Sequence, residues 1–233
     1  MITALDHLVI GGSVAAYETL LGRSASDGRL RTGNVGLRFR DGPAGLRSMA
    51  FATTDIDKAA TLLERRAVKT ERTHDGVAFE GHGVAIALHA GAGEAPSPLA
   101  TEDAAAVTGL DHVVVRTSNP ERAIAFYAGR LGLDLRLDRS NPQWGARLLF
   151  FRCGDLVVEI AHDLKKGVSD GPDHLWGLSW RVPDIAAAAA RLKTAGLDVS
   201  EPRDGRRPGS QVCTVKNGTE GVPTILIGGV GRW

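Results

Sequence analysis

Three things are scarce in this chain, and each scarcity closes off a class of protein. Cysteine occurs twice in 233 residues, as Cys153 and Cys213, far apart and without a CxxC spacing. Neither a thiolate zinc cluster nor a disulfide framework can be built from them, so two buried free thiols in a reducing cytoplasm are expected. An excess of one charge is missing too. The net charge is +1, which leaves no electrostatic footprint for nucleic acid or an anionic membrane. No apolar run approaches the roughly 20 residues that a membrane helix needs. The opening Met1-Ile2-Thr3-Ala4-Leu5-Asp6-His7 lacks the basic and apolar stretches of a secretory signal. There is also no nucleophile elbow and no phosphate-binding glycine loop. What remains is an ordinary globular composition, 43% hydrophobic and 24% charged, in a cytoplasmic protein whose partner is a small molecule.

Repetition organises the rest. Leu5-Asp6-His7-Leu8-Val9-Ile10 returns as Leu110-Asp111-His112-Val113-Val114-Val115. This suggests an N-terminal domain over 1–91, a linker over 92–108 and a C-terminal domain over 109–230. Each half divides again into a strand followed by a helix: 5–10 with 14–21, 47–53 with 55–66, 111–117 with 120–130, and 176–182 with 184–195. Gly22, Gly132 and Gly196 stand just past helices, where a left-handed residue ends them. In the third unit Ser118-Asn119-Pro120-Glu121 has capping-box spacing, with proline in the first turn. Three strand-like runs follow the helix in units two (68–72, 76–80, 84–89), three (133–138, 146–152, 155–161) and four (197–201, 211–216, 223–227). The first unit has only 29–31 and 35–40. The expected fold is α+β, with tandem βαβββ modules in curved mixed sheets. Paired modules put helices outside and a concave, ligand-sized face inside. Three strands after each helix argue against a ferredoxin-like dimer of βαββαβ units.

Gly109-Leu110-Asp111-His112-Val113-Val114-Val115, Asn119-Pro120-Glu121-Arg122-Ala123-Ile124-Ala125-Phe126-Tyr127, Leu131-Gly132-Leu133 and the strand through Val158-Glu159-Ile160 together resemble a glyoxalase-type module. Gly177-Leu178-Ser179-Trp180-Arg181-Val182-Pro183-Asp184 and Gly221-Val222-Pro223-Thr224-Ile225-Leu226 resemble its companion. The family is the vicinal-oxygen-chelate superfamily of glyoxalases, bleomycin-resistance proteins and extradiol dioxygenases. The resemblance implies two glyoxalase-like domains and a site drawing one ligand from the first strand (usually His) and one from the last strand (usually Glu) of each module. Both strands line the cup, so imidazole and carboxylate converge on a divalent metal such as Fe, Mn, Zn or Ni.

Carried over residue by residue, the chain is half equipped. His112 and Glu159 occupy the two ligand positions of unit three. Unit four has Gly177 and Ile225 there, unit two has Ser48 and Ala87, and unit one has His7 without a carboxylate partner. His89 lies two residues beyond Ala87 and is a further candidate ligand, completing a 2-His-1-carboxylate set if units two and three share a cup. The reading therefore takes His112 and Glu159 as the reactive centre, with a metal or without one. With a metal the centre acts as a Lewis acid; without one, Glu159 moves a proton next to a carbonyl. The implied activity is of the glyoxalase-like lyase, isomerase or dioxygenase kind. The competing reading is a metal-free binding protein of the bleomycin-resistance type. Arg116 and Arg181, each four residues past a ligand position, suit an anionic substrate. Trp144, in a turn with Asn141 and Gln143, is placed as a lid over the cup. Trp176 and Trp180 alternate away from the cup, and Arg203, Arg206 and Arg207 form a solvated cluster. A homodimer is compatible with all of this.

Overall fold

The computed structural model describes residues 2–91 and 103–230. Part of the expected linker, 92–102, lies outside them. The first half contributes β1 (Ile2–Gly11), α1 (Val14–Leu21), β2 (Arg29–Arg31), β3 (Gly36–Arg40), β4 (Gly45–Thr53), α2 (Ile56–Arg65), β5 (Thr70–Thr73), β6 (Gly76–Gly81) and β7 (Val84–Ala90). The second contributes β8 (Gly109–Arg116), α3 (Pro120–Ile124), a π-helical continuation (Ala125–Arg130), β9 (Asp134–Asn141), β10 (Ala146–Cys153), β11 (Leu156–Asp163), β12 (His174–Arg181), α4 (Ile185–Thr194), β13 (Arg203–Asp204), β14 (Gln211–Val215) and β15 (Thr224–Gly228). The protein is α+β, with one mixed sheet in each half, ordered β2-β3-β1-β4-β7-β6-β5 and β13-β14-β15-β12-β8-β11-β10-β9. Units one and two share a sheet through β1 and β4, and units three and four through β8 and β12, both pairs antiparallel.

Local chemistry explains the helices. Ser13, Asp55, Asn119 and Asp184 each accept hydrogen bonds from backbone N–H groups of a first turn. The cap of α3 is Asn119 rather than the expected Ser118, whose hydroxyl instead donates to the carbonyls of Ser169 and Gly171. The expected 120–130 helix changes type at Ala125. The N–H of Leu131 donates to the carbonyl of Phe126, five residues back, and both Phe126 and Tyr127 are buried. A π turn widens the arc that a helix offers its core, so two successive aromatics pack inward. The strand expected at 197–201 is reduced to one bridge between Val199 and Val215. Pro202 follows at once and cannot donate to a ladder, and only the two-residue β13 forms beyond it.

One cluster of buried apolar side chains runs through both halves, from Leu5 to Leu226, and it includes the thiol of Cys153. Cys213 is likewise buried and free. Helix ends tie the halves together. Arg191 on α4 donates to the carbonyls of Thr19 and Leu20 at the end of α1, each at 2.8 Å. Arg66 donates to the carbonyl of Arg130 at 2.8 Å, while Arg130 reaches the carbonyl of Ala67 at 3.4 Å. Terminal carbonyls without intrahelical partners are thereby satisfied across the junction. Gly81 packs directly against the Phe126 ring, and a Cβ there would run into it. Gly81→Val is therefore expected to destabilise the whole chain by about 1–3 kcal/mol, read as a lower urea midpoint. An unchanged midpoint would mean that the junction is loosely packed.

Candidate functional site

Strand β8 alternates as a strand should, except at one residue. Leu110, Val113 and Val115 join the core cluster, while His112, Val114 and Arg116 face the concave side. Against β12, His112 stands opposite Ser179 and Leu110 opposite Trp180, so the register skips Asp111, which forms a bulge. A bulge re-aims a side chain. Here it sets Asp111 beside His112, with the Asp111 carboxylate 2.9 Å from Nδ1 of the imidazole. The same device occurs in β1. Leu5 pairs with Phe51 and His7 with Ala50, skipping Asp6, and the Asp6 carboxylate lies 2.7 Å from His7 Nδ1. The repeated Leu-Asp-His is thus the sequence of an oriented imidazole.

With Nδ1 held, Nε2 of His112 turns to the cup and lies 3.4 Å from Oε2 of Glu159 on β11. Their side chains retain 15% and 13% exposure, so the pair is shielded yet open to solvent. Behind it, Arg181 donates through Nε to Asp111 at 3.1 Å and through Nη1 to Asp155 at 3.3 Å. Burial alone would raise the pKa of Asp111, but hydrogen bonds from His112 and Arg181 outweigh it and hold the carboxyl below its usual range. Burial alone would lower the pKa of His112; the Asp111 hydrogen bond and the charge of Glu159 outweigh that and push it up. The protonated form of His112 is thereby favoured, and the ring faces the Glu159 carboxyl group across one wall of the cup.

The other expected residues divide. Arg116 lies on the face of His112, its guanidinium 4.3 Å from the centre of the Trp176 ring, and no carboxylate pairs with it among the described residues. Trp176 was expected on the far face. It is skipped in the β8–β12 register between Leu175 and Gly177, and this second bulge turns it to the cup. Arg181 does not stand at the rim: it is buried and engaged by Asp111 and Asp155. Trp144 is sandwiched between Arg139 (4.9 Å) and Arg206 (4.6 Å). Arg139 and Arg206 come from opposite ends of the eight-stranded sheet, whose two ends therefore approach one another at Trp144, and Arg206 is not merely solvated.

His7 and His89 belong to the other sheet, with ring centres 5.0 Å apart. His89 Nδ1 is 3.6 Å from Asp75, and Arg38 reaches Asp75 at 3.5 Å. His89 thus faces His7, away from the expected set with His112 and Glu159. Burial, then the charge of His7, lowers its pKa. Alternation alone hid three participants. Asp111 and Asp155 were overlooked, and so was Ser179, whose buried Oγ has no hydrogen-bond partner among the described residues although Ser179 pairs with His112 across the ladder.

The donor set decides how well a divalent ion fits. A separation of 3.4 Å suits two ligands of one ion at about 2.1 Å each. A resident ion takes at least three protein donors, however, and no group of three such side chains exists among the described residues. Unit four cannot supply the third, because a Cβ at Gly177 would stand 2.8 Å from the carbonyl oxygen of Pro223. Among the described residues, His112 and Glu159 thus offer two of the three side chains that a resident zinc-type centre takes.

Comparison with known proteins is consistent with this architecture. Residues 109–217 match the family described as Glyoxalase/Bleomycin resistance protein/Dioxygenase superfamily. A curated relative from Cereibacter sphaeroides, ethylmalonyl-CoA/methylmalonyl-CoA epimerase, is 29% identical over 109 residues, spanning 41% of this chain and 79% of the relative. Two solved structures share the fold along essentially the whole chain. A halotolerant catechol dioxygenase superposes with a TM-score of 0.74 at 12% identity, covering 100% of this chain and 89% of its own. The Mn(II)-bound glyoxalase from Novosphingobium aromaticivorans gives 0.72 at 16%, covering 99% and 83%. No helix among the described residues is long and apolar enough to cross a membrane.

Two outcomes follow from the geometry. An unsatisfied buried hydroxyl is costly, so Ser179→Ala should stabilise the ligand-free protein by about 1 kcal/mol; a lower urea midpoint would show that Oγ has a partner. The Asp111–His112 pair also makes stability depend on pH. Asp111, depressed below its ordinary 3.8, stabilises fully above that value and loses its contribution as pH falls through its folded pKa. His112, raised above its ordinary 6.5, stabilises fully below that value and loses its contribution as pH rises through its folded pKa. The Tm difference between wild type and Asp111→Asn should therefore peak between these two ordinary values and shrink on either side. A difference that is flat with pH would contradict the assigned charges.

Proposed function

Given that residues 109–217 match the Glyoxalase/Bleomycin resistance protein/Dioxygenase superfamily, we propose that this chain is an enzyme that removes and returns a proton on the carbon beside a carbonyl, in a small substrate carrying an anionic group. The observation that carries this reading is the pair itself, an imidazole and a carboxylate 3.4 Å apart on one cup wall, with the imidazole pKa pushed up.

Glu159 takes the proton from the α-carbon. The C–H electrons form the enolate double bond, and negative charge gathers on the carbonyl oxygen. His112, held by Asp111, offers Nε2–H to that oxygen. Donors already aimed at a developing oxyanion need no reorganisation as the charge forms. Return of a proton from Glu159 to the same face closes an exchange cycle with retention, and inversion requires delivery to the opposite face of the enolate. Arg116, backed by Trp176 and with no carboxylate partner among the described residues, binds the anionic group of the substrate. An epimerase inverts a carbon centre, and a centre beside a thioester carbonyl is inverted through such an enolate. The relative named as acting on ethylmalonyl-CoA and methylmalonyl-CoA supports this choice among the superfamily's chemistries.

The test is deuterium wash-in from D2O, read by mass spectrometry over a panel of 2-substituted malonyl and acyl thioesters and 2-keto acids. Wild type should exchange the α-proton of at least one member, and the rate should decline as pH rises through the elevated pKa of His112. Glu159→Gln should lower exchange by about 10²–10⁴-fold, and Arg116→Ala should act chiefly on KM. Exchange abolished by a chelator and restored by a divalent ion would instead place a metal between His112 and Glu159. No exchange at all, with ligand affinity unaltered in Glu159→Gln, would make the protein a binder of the bleomycin-resistance kind.

A further inference from the structure

The His112 centre is held in part by the other half of the chain. The β8–β11 ladder has its last registered pair at His112 and Val157. Beyond it, the side-chain amide of Asn34, from the loop between β2 and β3, takes the next rung. Asn34 Oδ1 accepts from the N–H of Leu110 at 2.8 Å, and Nδ2 donates to the carbonyl of Leu110 at 2.7 Å. Nδ2 also donates to Asp155 at 2.9 Å. Leu110 is the residue immediately before the bulge.

The close approach is built in from both sides. A Cβ on Gly109 would sit 2.8 Å from Asn34 Oδ1, so only a bare backbone admits the amide. The loop itself is pinned: the N–H of Gly33 donates to the carbonyl of Thr108 at 2.9 Å, and the Thr32 N–H and hydroxyl both donate to the carbonyl of Val35 at 3.0 Å. We propose that Asn34 is a positioning residue for His112. Its amide completes the broken ladder, and by fixing Leu110 directly and Arg181 through Asp155 it keeps the bulged Asp111 locked on Nδ1 of the imidazole. Fully paired, half-buried amides of this kind rigidify what they touch.

This inference rests on His112 being the reacting imidazole, yet its test needs no substrate. Above the imidazole titration, histidine ¹⁵N spectra report which ring nitrogen carries the proton. In wild type both His112 and His7 should hold it on Nδ1, since each faces its own aspartate. In Asn34→Ala the preference at His112 should fall by about tenfold, the worth of one such hydrogen bond, while His7, which Asn34 does not touch, stays as it was. Gly109→Ala, which evicts the amide without altering it, should do the same. Should either variant be too unstable to measure, Asn34→Asp keeps the acceptor for Leu110 but not the donor for Asp155, and should loosen the His112 tautomer alone. Unchanged His112 spectra, or His112 and His7 shifting together, would reduce Asn34 to a general stabilising contact and overturn the proposal. Absent wash-in in wild type with a selective His112 effect would sink the enzymatic reading and leave the clamp standing.

Discussion

The hydrogen bond between Asp111 and Nδ1 of His112 is the constraint on which this centre depends. Two neighbours on a strand ordinarily point to opposite faces, and a carboxylate on the far face could neither orient the ring nor raise its basicity. The bulge removes that separation at the cost of one step in the ladder's register. Arg181 and Asp155 complete the arrangement: the guanidinium keeps the buried Asp111 charge compensated, and Asp155 holds the guanidinium. An uncompensated carboxylate at 2% exposure would be strongly destabilising.

The two halves have kept the same device and surrounded it differently. In the C-terminal sheet the oriented imidazole meets Glu159 and an open cup with an unpaired arginine at its end. In the N-terminal sheet it meets His89, with Asp75 and Arg38 closing over the pair. The second arrangement is nearly sealed, with His7 at 3% exposure. Arginine-capped helix ends and a shared apolar core bind this quieter half to the working one.

The order of strands and helices was legible because hydrophobic periodicity and terminal glycines are local signals. The pairing of units was not, since nothing in a strand's own sequence names its neighbour. The convergence of His112 and Glu159 could be read from alternation within one module, where period two holds. It failed at Asp111 and at Trp176, each of which sits in a bulge, and a bulge leaves no trace in a single hydrophobic pattern. The signal that was available for Asp111 was the second Leu-Asp-His, since a motif repeated with its aspartate implies a task for that aspartate. Arg181 was misplaced for a related reason. Its partners, Asp111 and Asp155, are distant in sequence, so a cation that looked free in one dimension is fully engaged in three.

Gly177 carries a consequence for how this scaffold can change. The position is empty of side chain because the backbone of β15 occupies the space a Cβ would take, and the Leu178 N–H bonds to that same Pro223 carbonyl. A histidine cannot be installed there by one codon change without breaking a rung of the sheet. Recovery of a three-ligand centre would first require Pro223 to retreat, a backbone rearrangement that confers nothing until the ligand arrives. As the backbone stands, position 177 is closed to a side-chain ligand.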